Sequence, residues 1–341
     1  MTEPTPAELG YRMPAEWEPH AATWLSWPHK EESWPGAFAP IPAVWAELTR
    51  LLAPRERVCI LATGAARQSA IELVGTTPNV ELYDVPTDDA WIRDHGPTFL
   101  VAPRGGEPAL VDWEYNAWGN KYPPFDEDNQ VPRRIAALLG YRRFAPGIVM
   151  EGGAVDVNGR GAVLTSEQCL LNPNRNPELT RTDVERYLAA YLAAPHVIWL
   201  GEGIVGDDTD GHIDELARFV DPRTVVAAVE PDPADENHRP LADNLARLER
   251  AVDQEGRRLE IVPLPLPRPR YFQGQRLPAS YLNFYIANAL VVVPQFDDPA
   301  DSVALETLAR LFPDRQVHPL RAVDLVWGLG AFHCITQQQP A

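Results

Sequence analysis

The 341-residue sequence predicts an α/β protein built from one unit used about five times. Three observations carry this reading. Short apolar runs alternate with helical stretches along the chain. Polar or Gly-rich segments holding Asp, Glu, His or Cys follow the returning strands. Asp94, Glu151, His212 and Cys334 stand 57, 61 and 122 residues apart, the last interval being twice 61, and a fivefold unit in a chain of this length is about 68 residues long. Helix–strand alternation ordinarily signals an open doubly wound sheet. Chemistry-bearing residues at equivalent points of successive units favour instead a closed radial arrangement that brings them to one axis. The expected organisation is a single domain over residues 1–341, made of about five ββαβ-type units.

The elements follow in order. Ala22–Trp27 reads as a strand. Ile41–Leu52 is a helix, with Val44, Leu48, Leu51 and Leu52 at helical spacing. A strand over Arg57–Ala62, a helix near Ala65–Val74 and a strand over Val80–Val85 lead to Trp91-Ile92-Arg93-Asp94. Strands at Thr98–Ala102 and Ala109–Trp113, a helix over Asn129–Leu139 and a strand ending at Ile148–Met150 lead to Glu151-Gly152-Gly153. Strands at Ala154–Val157 and Ala162–Thr165, a helix over Leu179–Leu192 and a strand at His196–Leu200 precede Asp207 to Asp214. Strands at Ala217–Val220 and Thr224–Val229, a helix over Asn237–Val252 and a strand at Leu259–Leu264 follow. A strand at Ala289–Val293, a helix over Asp301–Leu311 and a strand at Gln316–Leu320 lead into Gly328-Leu329-Gly330 and Cys334. The three glutamines after Cys334 read as a polar tail.

Composition narrows the function classes. A net charge of −18 disfavours nucleic acid, and it suits a cationic small substrate as well as solubility. No apolar run is long enough to cross a membrane, and Met1 to Leu9 lack the apolar core of a signal peptide. Three scattered cysteines are too few for a disulfide frame or a zinc site. The expectation is a reduced, cytoplasmic enzyme without metal or organic cofactor. No dinucleotide or Walker-type loop follows a strand.

Four motifs carry chemistry, and each has a plainer reading. Asp94 in Trp91-Ile92-Arg93-Asp94 could pair with Arg93 or cap a loop. Glu151 before two glycines could cap a turn. His212 and Asp214, two apart, share a face if the segment is extended, or mark a polar strand end. Cys334 is a nucleophile once ionised, or a small buried hydrophobe. Asp207 to Asp210 could be a solvated charge run or half of a calcium loop, although calcium loops need more spaced ligands and a distal Glu. Jointly, at a regular period, the set suits covalent catalysis. A Cys–His pair with an orienting carboxylate supports nucleophilic attack. Further carboxylates would repel an anionic acyl intermediate, but a planar guanidinium is bound bidentately by them.

At these residues the chain resembles the agmatine deiminase family, related to the bacterial-type peptidylarginine deiminases within the guanidine-modifying (pentein) superfamily. The resemblance spans nearly the whole sequence. It is carried by Met13-Pro14-Ala15-Glu16-Trp17, by Asp89 to Asp94 with Gly96-Pro97, and by Asn116-Ala117-Trp118-Gly119. It continues through Glu151-Gly152-Gly153, Leu170 to Pro177, Gly211 to Asp214, Ser280-Tyr281-x-Asn283-Phe284 and His333 to Pro340. It implies the five-bladed pseudo-symmetric α/β propeller of the pentein fold, in agreement with the repeat count. It further implies Cys334 as nucleophile, His212 as general acid/base and Glu151 as the group that orients His212. Asp94 and Asp214 would clamp the guanidinium, Trp91 would line the substrate channel, and Asp208 would stand near a distal amine.

The activity so implied is hydrolytic deimination through a covalent thiouronium adduct. Agmatine would give N-carbamoylputrescine and ammonia, a step of putrescine biosynthesis. The alternatives are peptidyl-arginine, arginine or another guanidino substrate, and a non-catalytic guanidine- or polyamine-binding protein. The sequence leaves homo-oligomerisation open. It departs from the usual family pattern at Leu329, Ala331 and Phe332, and at Glu215, where Asn is usual.

Overall fold

The computed structural model describes residues 3–341. Met1 and Thr2, which open the Pro-rich N-terminal stretch, lie outside the described residues. The chain forms a mixed α/β fold of separate small sheets. The first holds His20–Ser26 (β1), Arg57–Leu61 (β2) and Val80–Tyr83 (β3), mutually parallel. Thr98–Leu100 (β4), Ala109–Val111 (β5) and Arg142–Phe144 (β6) make the second. Asp156–Val157 (β7), Ala162–Ser166 (β8) and His196–Leu200 (β9) make the third. Ala217–Phe219 (β10), Thr224–Val229 (β11) and Glu260–Pro265 (β12) make the fourth. Tyr271–Phe272 (β13) and Gln275–Arg276 (β14) form a small hairpin. Tyr285–Ala287 (β15), Leu290–Gln295 (β16) and Gln316–Arg321 (β17) make the fifth. Gln337–Pro340 (β18) returns to pair antiparallel with β1.

One order recurs. In the second to fifth sheets the first strand is antiparallel to the middle one, and the third is parallel to it. A parallel neighbour requires a crossover. The helices Val131–Leu139, Arg181–Leu192, His238–Arg250 and Ala300–Leu311 supply it, and Ile41–Leu52 does so between β1 and β2. β18 stands to β1 as β4 stands to β5. The central strands are buried runs rich in Val, Ala and Leu, as sheets covered on both faces require. Local chemistry sets the helix starts. Pro42 opens Ile41–Leu52 where a missing N–H costs no bond. Thr180 and Asp183 close a capping box on Arg181–Leu192.

The expected elements are present with their ends shifted by a few residues, and four points differ. Among the described residues no sheet closes on itself. The strand expected to end at Ile148–Met150 stops at Phe144, because Pro146 cannot donate to a ladder and Gly147 turns at φ 74°; a single bridge resumes at Val149. Gly152–Ala154 is a 3-10 turn and only Asp156–Val157 is strand. The polar tail is the buried strand β18. Two of its amides find partners inside: Trp24 Nε1 donates to Gln339 Oε1 at 2.9 Å and Gln337 Nε2 to the Pro97 carbonyl at 2.5 Å. No helix among the described residues is long and apolar enough to cross a membrane.

Candidate active site

The connections that leave the middle of the chain and the approach to β18 converge on one cavity. It has a volume of about 270 Å³, and Cys334, Asp94, Trp91, Trp118, Asp208 and Leu329 form part of its wall. Glu151, His212 and Asp214 are fully buried and lie outside that wall.

Cys334 is held by one amide. Asn283 Oδ1 accepts the backbone N–H groups of Ala331, His333 and Cys334 at 3.1, 3.0 and 3.2 Å, and its Nδ2 donates to Cys334 Sγ at 3.0 Å. The loop therefore presents the sulfur with little freedom. Gly330 is required there, since a Cβ would stand 2.7 Å from the Trp91 ring and 3.2 Å from the sulfur. Burial pushes the thiol well above its ordinary range, and Asp214, Glu215 and Asp94 push it further.

Asp94 sits on the short helical turn Ile92–His95. Its Oδ1 accepts the Gly153 N–H at 2.9 Å and its Oδ2 the Trp118 indole N–H at 3.0 Å. Burial raises its carboxyl to about 6 against the charge of His212, with Asp214 and Glu151 adding to the rise. Arg93 does not pair with it and donates instead to the His333 carbonyl at 3.2 Å. Trp118 reaches Asp94 from a left-handed turn. Ala117, Trp118, Gly119 and Asn120 all have positive φ, and Asn116 Oδ1 caps the turn on the Gly119 N–H at 2.8 Å.

His212 lies beside Asp94, with Nδ1 to Oδ1 at 3.7 Å. Gly153 separates them: a Cβ there would come within 2.5 Å of Nδ1 and 2.7 Å of Oδ1. Burial disfavours the charged ring, but Asp94, the Cys169 thiol and Glu151 outweigh it and hold the imidazole well above its ordinary range. Neither ring nitrogen has a hydrogen-bond partner among the described residues. Arg175 Nε grips Glu151 Oε1 at 2.6 Å and leaves Oε2 unpartnered. Arg175 Nη1 and Nη2 also reach Asp210 Oδ2 at 2.5 Å and the Thr209 carbonyl at 2.7 Å. One guanidinium thus ties Glu151 to the segment that precedes His212. Asp207 is no solvated charge, because its Oδ2 accepts the Gly211 N–H at 2.9 Å.

His212 and Asp214 do not share an extended face. Ile213–Glu215 is a 3-10 turn with His212 at its start, so the two side chains diverge. Asp214 turns toward the Cys334 loop, where its Oδ2 is 2.7 Å from His333 Nδ1 and 3.6 Å from Cys334 Sγ. His333 Nε2 meets Glu16 Oε2 at 2.8 Å, and Arg218 pairs with Glu16 and with Asp156. Both His333 nitrogens face carboxylates. Burial pushes Asp214 up, but the bond and charge of His333 outweigh it and hold it below the usual carboxylate range. Glu16 is held well below that range as well, with Arg218 and His333 overcoming its burial.

Trp91 stacks on Trp34 at 5.2 Å between centroids. Asp208 accepts the Tyr122 hydroxyl, and Tyr122 packs edge-on against Trp118 at 5.7 Å. Two aromatic rings therefore stand between the carboxylates of Asp94 and Asp208. All seven sequence-derived residues fall in or directly around this cavity. Sequence reasoning gave no role to Asn283, Arg175, Trp118, His333 or Glu16, although each stands in one of the recognisable motifs. Among the described residues two trios could share a cation: Glu151, Cys169 and His212, and Asp214, Glu215 and Cys334. In each, the ligand atoms lie within 4.8 Å of one another.

The model of the Porphyromonas-type peptidyl-arginine deiminases matches residues 12–340. The chain belongs to that family. It is 38% identical over 360 residues to an agmatine deiminase of Ectopseudomonas mendocina, covering 99% of this chain and 97% of that relative. Among family structures, the agmatine deiminase of Enterococcus faecalis superposes with a TM-score of 0.94 at 32% identity, covering 100% and 98% of the two chains. A C. jejuni agmatine deiminase with substrate bound superposes with a TM-score of 0.89 at 31% identity, covering 97% and 96%.

Proposed function

We propose that this protein hydrolyses agmatine to N-carbamoylputrescine and ammonia, with Cys334 as nucleophile. The observation that carries the reading is a thiol facing a carboxylate-walled cavity, with a buried imidazole behind the nearer carboxylate. The relatives named agmatine deiminase over the full chain length support it. Asp94 and Asp214 bind the guanidinium nitrogens and set its carbon beside the sulfur. The cation offsets the negative charges that hold the thiol neutral, so the thiol proton passes to solvent and thiolate forms as substrate binds. The thiolate forms a C–S bond. His212, oriented by Glu151, gives its proton to the departing nitrogen, the C–N bond breaks and ammonia leaves. Water then attacks the thiouronium carbon while His212 takes its proton. The C–S bond breaks and the ureido product leaves. No step needs a metal or organic cofactor, because the substrate's own charge supplies the electrophile.

Trp91 and Trp118 line the aliphatic stretch of the substrate, and Asp208 meets the distal amine. The same carboxylate argues against free arginine, whose α-carboxylate would face it. We further read the five sheets as the blades of a pseudo-fivefold propeller forming a single domain. The recurring strand order and the return of β18 to β1 support that reading. The test is ammonia release from agmatine, arginine and a peptidyl-arginine. Agmatine is expected to have the highest kcat/KM and Cys334→Ser to abolish turnover. Full activity in Cys334→Ser, or preference for the peptide, would overturn the reading.

A further inference from the structure

We propose that Asp214, Glu215 and Cys334 form a binding site for a thiophilic divalent cation, zinc above all, that shuts off the nucleophile. The ligand atoms of the three lie within 4.8 Å of one another and all are buried. Two carboxylate oxygens in the trio, Asp214 Oδ1 and Glu215 Oε2, have no hydrogen-bond partner among the described residues. No ion pair reaches Glu215 among the described residues, and Asp214 and Asp207 add negative charge to its surroundings. A buried carboxyl without partners is costly, and a cation shared with its neighbours removes that cost.

The donor set selects the ion. One sulfur with two carboxylate oxygens suits borderline-soft zinc, whereas magnesium and calcium take oxygen ligands in larger numbers. Tetrahedral zinc holds such ligand atoms about 3.5 Å apart, and Cys334 Sγ and Asp214 Oδ2 already stand at 3.6 Å. Three protein ligands leave a fourth position for water, on the side where Cys334 meets the cavity. The second trio has no member on the cavity wall, so an arriving ion meets Cys334 first. Zinc displaces the thiol proton and the Glu215 proton, which pass to solvent, so binding weakens as pH falls. Glu215 is one of this chain's departures from the family pattern, which makes the site a property of this sequence. The site shares Cys334 with the proposed reaction but does not depend on turnover.

The test is calorimetric titration of chelator-treated full-length protein with zinc chloride in the absence of substrate. One zinc per chain is expected. Glu215→Gln and Cys334→Ser should each weaken binding at least about tenfold, saturating agmatine should weaken it likewise, and Cys169→Ser should leave it unchanged. Cobalt(II) in zinc's place should give a thiolate-to-metal absorption that alkylation of Cys334 removes, a readout that needs no variant to fold. Equal affinity in Glu215→Gln and Cys334→Ser, loss of binding in Cys169→Ser, absence of one-site binding, or no thiolate absorption with cobalt would each overturn the proposal. Ammonia release from metal-free protein tests the reaction separately.

Discussion

Agmatine binding should follow the ionisation of Asp94. Burial raises that carboxyl to about 6, and only the ionised form pairs with a guanidinium. At pH 7 about ten in eleven molecules carry the charge, and at pH 5 about one in eleven. Affinity should therefore fall about tenfold over that interval, equivalent to about 1.4 kcal/mol. The assay is calorimetric agmatine binding to Cys334→Ser, which separates binding from turnover. In Cys334→Ser/Asp94→Asn, affinity should already be low at pH 7 and stay level down to pH 5. A Kd that is constant from pH 7 to pH 5 with Asp94 present would refute the reasoning. So would the same tenfold slope persisting without Asp94, because another group would then set it.

Gly153→Ala places a methyl against His212 and Asp94, so kcat should fall by about 10²-fold while circular dichroism stays native. Leu329 sits at φ 70°. Leu329→Gly relieves about 1–2 kcal/mol of left-handed strain and gives back about 0.5–1 kcal/mol in unfolded-chain entropy, so calorimetry should show a slightly raised Tm. Glu16 and Asp214 are held below the ordinary carboxylate range, so their contribution is present above about pH 4 and is lost as pH falls through their folded values. Denaturant unfolding should show that loss below pH 4, and His333→Asn, which removes the shared partner, should cost about 3–5 kcal/mol at pH 7.

Much of this was legible in the sequence because it obeys local rules. The helices Ile41–Leu52 and Ala300–Leu311 follow from apolar spacing, and β9 and β11 from short β-branched runs. Asp94, Glu151, His212 and Cys334 stood out through composition and interval. What escaped lies in contacts between distant segments. Three glutamines in a row carry no alternation, and β18 is held inside by distant partners, Pro97 for the Gln337 amide and Trp24 and Tyr141 for that of Gln339. Asn283 organises the Cys334 loop from about 50 residues upstream. His333 lies between two carboxylates, one of them 317 residues away in sequence. The divergence of His212 and Asp214 turned on a 3-10 turn that the tetrapeptide alone does not specify.

The pairing of β18 with β1 has a consequence for synthesis. Trp24 and Gln339 are 315 residues apart in the chain, so β1 leaves the ribosome long before its outer partner exists. Contacts of such separation close late. Cys334 lies three residues before β18, and the backbone at Arg93 and Asn283 waits for it. The first sheet and the thiol's setting are therefore completed by the same late event.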